Sequence, residues 1–123
     1  MSEAPSIPVP VAELQEGTPI LFAFERRGQP LSGFVLEHEG NLFAYVNRCP
    51  HNTVSLDLGD GVLMTESKKF IECQVHGAQF LPESGECFWG PARGYALEAL
   101  PVERQGLHAA VSVTDEPPNW PDE

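Results

Sequence analysis

Hydrophobic residues in this chain come in short runs separated by Gly, Pro and Asn, and the runs have the length of strands. Ile20-Leu21-Phe22-Ala23-Phe24 is apolar and aromatic and is closed by Arg26-Arg27-Gly28-Gln29-Pro30, which predicts a strand followed by a turn. Gly33-Phe34-Val35-Leu36-Glu37 predicts a second strand. Glu39-Gly40-Asn41 predicts a turn, because Gly and Asn tolerate positive φ. Leu42-Phe43-Ala44-Tyr45-Val46 returns as a third strand, so the second and third form a hairpin that runs through Asn47-Arg48 into Cys49.

Residues 52–72 break this rhythm. Leu56, Leu58, Val62, Leu63 and Met64 are apolar, but Gly59-Asp60-Gly61 interrupts them, which predicts an irregular loop with at most a turn of helix. Strands are expected again at Lys68–Glu72, Ala78–Leu81 and Cys87–Trp89, with Pro82–Glu86 as a turn and Gly90–Gly94 as a loop. Tyr95–Leu97, Leu100–Val102 and Leu107–Val113 then close the sheet, with a hairpin turn at Gln105-Gly106. Before the first strand, residues 1–17 carry prolines at 5, 8 and 10 and read as an extended arm, with an edge strand at Ile7–Val11. After the last strand, the acidic, proline-rich tail of 114–123 reads as lying outside the packed part. Residues 18–113 therefore form the folded domain. Short strands joined by turns about every ten residues, with no three-turn helix and no internal repeat, predict an antiparallel all-β sandwich or barrel.

Composition narrows the partners. The chain has 123 residues, enough for one hydrophobic core, with 41% hydrophobic and 20% charged residues. Asp and Glu number 18 against 7 Lys and Arg, a formal charge of −11. Such a surface repels phosphate backbones and anionic lipid heads, which argues against nucleic acid and membranes and suits a basic protein surface. No apolar run approaches the roughly 20 residues of a membrane span, and the start shows no secretory pattern. Three cysteines make a poor disulfide framework, so a reducing cytoplasm is expected.

The chemistry concentrates in two short segments, Cys49-Pro50-His51 and Cys73-Gln74-Val75-His76. Each offers one thiolate and one imidazole on a predicted loop tip. A structural zinc finger usually pairs like ligands within each segment, whereas here each segment mixes Cys and His. Alternating the types lets one iron take both thiolates and a second take both imidazoles, the arrangement of a [2Fe–2S] cluster in which two His replace two Cys. A mononuclear zinc site remains the alternative at this point. Cys87 is left over and reads as a small buried hydrophobe, and His38 and His108 flank turns and read as solvated.

With Cys49-Pro50-His51, Cys73-Gln74-Val75-His76-Gly77 and Gly90-Pro91 in place, the chain resembles the Rieske proteins over roughly Ile20 to Val113. It is most similar in its loops to the soluble Rieske ferredoxins of bacterial ring-hydroxylating oxygenase systems. The resemblance implies a Rieske-like sandwich with two cluster-binding loops. Cys49 and Cys73 would bind the inner iron, His51 and His76 the outer one, and the Gly90-Pro91 loop would cover the cluster. Phe88 and Trp89 adjoin that loop, either shielding the cluster or packing in the core. Respiratory members carry a further Cys in each ligand loop, joined as a disulfide, but this chain has Asn52-Thr53-Val54 and Gln74-Val75 there. Those members also place hydroxyl residues shortly after the second His, where this chain has Ala78 and Phe80. Fewer hydrogen bonds to sulfur imply a potential toward the bottom of the range of about −150 to +300 mV. The 52–72 connection is longer than in those ferredoxins.

The function this implies is a soluble one-electron carrier, without catalysis of its own, between a flavin reductase and an oxygenase. Two alternatives stand beside it. One is a non-catalytic Rieske-like subunit of a larger oxidoreductase, as in the small subunit of a nitrite reductase. The other is a zinc-stabilised binding module. A complete Rieske oxygenase is disfavoured, because only His38 and His108 remain for a second iron and the chain has no room for the domain that holds it.

Overall fold

The computed structural model describes residues 6–12, 14–15, 18–26, 29–48, 56, 63–65, 67, 69–73, 77–90 and 94–113. Every regular element among them is a strand, and all the strand pairings are antiparallel. In chain order these are β1 (Ser6–Pro10), β2 (Ile20–Arg26), β3 (Gln29–His38), β4 (Asn41–Val46), β5 (Ile71–Glu72), β6 (Gln79–Phe80), β7 (Cys87–Trp89), β8 (Ala99–Leu100), β9 (Val102–Gln105) and β10 (His108–Ser112). They form three sheets, ordered β1-β10-β9, β2-β3-β4-β8 and β5-β6-β7.

The second sheet is the middle layer, and the sequence pattern of β3 shows why. Phe34, Val35 and Leu36 are all buried, so this strand does not alternate between core and solvent. Successive side chains in a strand point to opposite faces. Phe34, Leu36 and Tyr45 pack on one side with Ile71, Cys73, Ala78 and Phe80 of the β5-β6-β7 region. Val35, Ala44 and Val46 pack on the other with Val9, Ala109 and Val111 of the first sheet. The register agrees, with Phe34 opposite Tyr45 and Val35 opposite Ala44. A sheet covered on both faces reads as a continuous apolar run, which is what residues 33–36 show. Gly33 has its own reason to lack a side chain. A Cβ there would lie 2.6 Å from the Phe22 ring and 3.0 Å from the Tyr45 carbonyl oxygen.

Several expectations shift in detail. The β3–β4 turn has positive φ at Glu39 (53°) and Gly40 (83°), while Asn41 is already paired with His38 in the strand. Two consecutive positive φ angles match the right-handed twist of the flanking strands, so the two-residue loop sits one position earlier than Gly-Asn would suggest. The β9–β10 turn likewise falls on Gly106-Leu107, with φ 65° at Gly106. Leu100–Val102 is not one strand. Pro101 cannot donate to a ladder, and the chain there leaves the middle sheet as β8 and enters the first sheet as β9. Tyr95–Leu97 makes only an isolated bridge, Ala96 to Glu86. Of the strand expected at Lys68–Glu72, Ile71–Glu72 is observed, and Met64 bridges to Ile71 ahead of it. The N-terminal stretch is extended as expected. It forms the edge strand β1, whose Val9, with Val11 after it, is buried in the core. The tail of 114–123 lies outside the described residues.

Candidate metal centre

The first candidate loop hangs between two fixed points. Asn47 follows β4 directly and is only 7% exposed. Its backbone N–H donates to the Ser32 carbonyl at 2.8 Å, and its Nδ2 donates to Ser32 Oγ at 3.2 Å, which anchors it to β3. Its Oδ1 accepts the backbone N–H of Leu56 at 2.8 Å. One buried amide thus closes the chain on both sides of residues 49–55. Cys49, Pro50 and His51 themselves lie outside the described residues. The sequence reading passed over Asn47. Its signal was an amide at the end of an apolar strand, a position where a buried side chain must find partners.

The second loop joins β5 to β6. The Cys73 N–H donates to the Ala78 carbonyl at 2.8 Å, and the Gly77 N–H donates back to the Cys73 carbonyl at 2.7 Å. These bonds tie the two ends of the loop to each other, and Gly77 turns the chain with φ 77°. Cys73 is fully buried, and it and Cys87 are both unbridged. Gln74, Val75 and His76 lie outside the described residues. The two loop bases meet in one core, because Leu56, Cys73 and Ala78 belong to the same buried cluster.

A third segment closes on the second loop. At the end of β7, Gly90 adopts φ 102°, and a Cβ there would come within 2.8 Å of Ala78 Cα. Only glycine allows the backbone at position 90 to approach Ala78 so closely. Pro91, Ala92 and Arg93 lie outside the described residues. Trp89 and Phe88 do not pack in the core: they are 58% and 39% exposed. Phe88 packs against Phe70 with the rings tilted by 57° and their centroids 4.8 Å apart, and Trp89 reaches within 3.8 Å of where a Gly77 Cβ would stand. Cys87 is buried as expected, its thiol donating to the Trp89 carbonyl at 3.2 Å. His108 is exposed, while His38 is partly buried, with Nε2 3.9 Å from Glu39 Oε2 and 3.8 Å from Glu83 Oε1. Ala78 and Phe80 are wholly buried, so neither position supplies a hydroxyl. Among the described residues no three His, Cys, Asp or Glu side chains gather into a metal site.

What is described suits a sulfur-bridged cluster. A buried, unbridged thiol stands at the base of the second loop, with a glycine, Gly90, where the backbone approaches Ala78. The donor set of two Cys and two His, split across two loops, completes the chemistry.

Solved structures give the same architecture. The ferredoxin of carbazole 1,9a-dioxygenase from Nocardioides aromaticivorans IC177 aligns with a TM-score of 0.65 at 24% identity, covering 87% of this chain and 96% of that one. A ferredoxin from Sphingomonas yanoikuyae B1 aligns at 0.66 and 20% identity, covering 89% and 99%. The terminal oxygenase of carbazole 1,9a-dioxygenase from Novosphingobium sp. KA1 aligns at 0.68 and 22% identity, covering 95% of this chain but 32% of its own. At these identities the likeness establishes the fold. No curated protein sequence matches the chain. The sequence model of the Rieske [2Fe–2S] domain does match it, over residues 7–102. That span takes in both Cys/His loops and Gly90, which packs against Ala78, and the chain belongs to the Rieske [2Fe–2S] domain family, whose fold holds one such cluster per domain.

Proposed function

We propose that this protein is a one-electron carrier in which Cys49, His51, Cys73 and His76 hold the cluster. It would take electrons from a flavin reductase and deliver them to an oxygenase in the cytoplasm. The observation that carries this reading is the shared base of the two loops, where Asn47, Leu56, Cys73 and Ala78 are tied together. When bound, the cluster supplies reversible uptake of a single electron. The chain's contribution is to bury the Cys73 thiol and to tie the bases of both loops into one core.

The carrier role draws on two supports. The chain spans nearly the whole length of the two ferredoxins it resembles but about a third of the oxygenase. The carbazole 1,9a-dioxygenase oxygenase has been solved in complex with a ferredoxin. No helix among the described residues is long and apolar enough to cross a membrane.

The test is the visible spectrum and low-temperature EPR of anaerobically purified, dithionite-reduced protein, with iron and sulfide counted per chain. A coloured protein with two irons, bleached by His51→Ala or His76→Ala, is the expected result. A colourless protein holding one zinc would overturn it in favour of the binding module.

A further inference from the structure

The exposed apolar surface of this molecule is unevenly placed. Among the described residues four large hydrophobic side chains are exposed: Leu21, Phe88, Trp89 and Leu107. Leu21 and Leu107 stand apart, on β2 and in the β9–β10 turn. Phe88 and Trp89 are consecutive residues at the end of β7, an edge strand of its sheet, and Phe88 meets the Phe70 ring. Isolated exposed apolar residues are ordinary, whereas several exposed aromatics gathered at one end of an edge strand mark a contact surface. The location sharpens this. Trp89 adjoins Gly77, the residue after His76, and Gly90 anchors the same strand end on Ala78. The patch therefore flanks the loop proposed to carry an iron ligand.

The geometry points to Trp89 as the central anchor of the electron-transfer docking face, with the Phe88–Phe70 pair at the same strand end. The occupant it fits is a redox protein presenting an apolar contact surface within a basic rim. This deepens the carrier reading above and rests on it. Two observations select that occupant. A large aromatic ring, more than half exposed, gains most from desolvation at the centre of an interface, where Trp is the most enriched hot-spot residue. The chain's formal charge of −11 steers it toward a positively charged partner and away from a second copy of itself. A patch beside Gly77 would also bring the partner to the ligand loop without any rearrangement of the core.

The test uses ferric cytochrome c, a small basic redox protein, as the probe. One electron passes from the dithionite-reduced protein to the ferric haem, with no bond made or broken. Stopped-flow rates with cytochrome c and with ferricyanide are compared for wild type, Trp89→Ala, Trp89→Phe and the remote control Leu107→Ala. Titration calorimetry of the oxidised protein with ferric cytochrome c reads binding without turnover. Trp89→Ala is expected to weaken binding and slow the cytochrome c reaction by about 10-fold or more, with Trp89→Phe closer to wild type and Leu107→Ala unchanged. Visible spectrum, potential and ferricyanide rate stay at wild-type values throughout. The cytochrome c rate also falls as salt rises from about 0.01 to 0.15 M, where the screening length shrinks from about 30 to 8 Å. Wild-type behaviour of Trp89→Ala toward cytochrome c overturns the proposal while leaving the carrier reading intact. So does a matching change in its potential and ferricyanide rate, which would make the indole a shield of the cluster. A wild-type protein without visible absorption removes the carrier reading itself, and the docking face with it.

Discussion

Asn47→Ala tests the claim that a single buried amide closes the first ligand loop. Truncation removes Oδ1 from the Leu56 N–H, a 2.8 Å bond that is buried, and Nδ2 from Ser32 Oγ at 3.2 Å. Leaving a buried N–H without its acceptor costs about 1–3 kcal/mol, and the longer, part-buried bond to Ser32 adds about 1 kcal/mol. The total of about 2–4 kcal/mol is a large fraction of a small domain's stability. With a urea slope of about 2 kcal/mol per M, the midpoint should fall by about 1–2 M. The same change should act locally, because the bond spans residues 49–55. If opening of that segment becomes about 2 kcal/mol easier, iron loss to a chelator should run about 30-fold faster. Ser32→Ala removes only the weaker side-chain bond and should cost about 1 kcal/mol or less. Urea melts followed by circular dichroism, and chelator kinetics followed by visible absorption, read the two effects separately. A wild-type midpoint and iron-loss rate in Asn47→Ala would refute the clamp, and so would equal losses in the two variants.

Three further outcomes follow from the same geometry. Gly90→Ala should destabilise the protein more than Gly94→Ala. Both have φ near +100°, but a Cβ at Gly90 meets Ala78 Cα at 2.8 Å whereas nothing lies within 4 Å at Gly94, so thermal melts that show equal losses would contradict the packing argument. Tyr45→Phe should cost about 1–3 kcal/mol in urea melts at neutral pH, because the buried phenol donates to the Pro82 carbonyl at 2.7 Å. Burial, reinforced by Glu83, pushes the Tyr45 phenol above its ordinary value of about 10, so the unfolded chain releases that proton first. Wild-type stability should therefore be intact below about pH 10 and decline above it, and Tyr45→Phe should flatten that decline. The reduction potential should fall in the lower part of the range of about −150 to +300 mV, since buried Ala78 and Phe80 offer the cluster no hydroxyl. A spectroelectrochemical titration well above zero would count against it.

Much of this molecule can be read from local chemistry. The hairpin of β3 and β4 announces itself through two apolar runs around a Gly-containing turn, and its length needs no long-range information. The Cys/His spacing is equally local, since ligand type and separation along the chain already select the metal chemistry. What sequence alone could not reveal depends on what each strand meets. Phe34-Val35-Leu36 spells a buried strand, but only the packing shows that Phe34 and Leu36 serve one core and Val35 another, which makes the fold three layers deep. Leu100-Pro101-Val102 looks like one strand until the structure places its halves in different sheets.

The site divides along the same line. Residue types and spacing point to the cluster because coordination chemistry depends on donor atoms that the chain carries wherever it goes. Asn47 and Trp89 carry no such mark. The first matters because Leu56, nine residues away, brings its N–H into reach, and the second because an edge strand leaves its ring in solvent beside Gly77. Burial and exposure are properties of the folded surroundings, set by contacts between residues far apart in the chain. Those contacts exist only once the three sheets have closed.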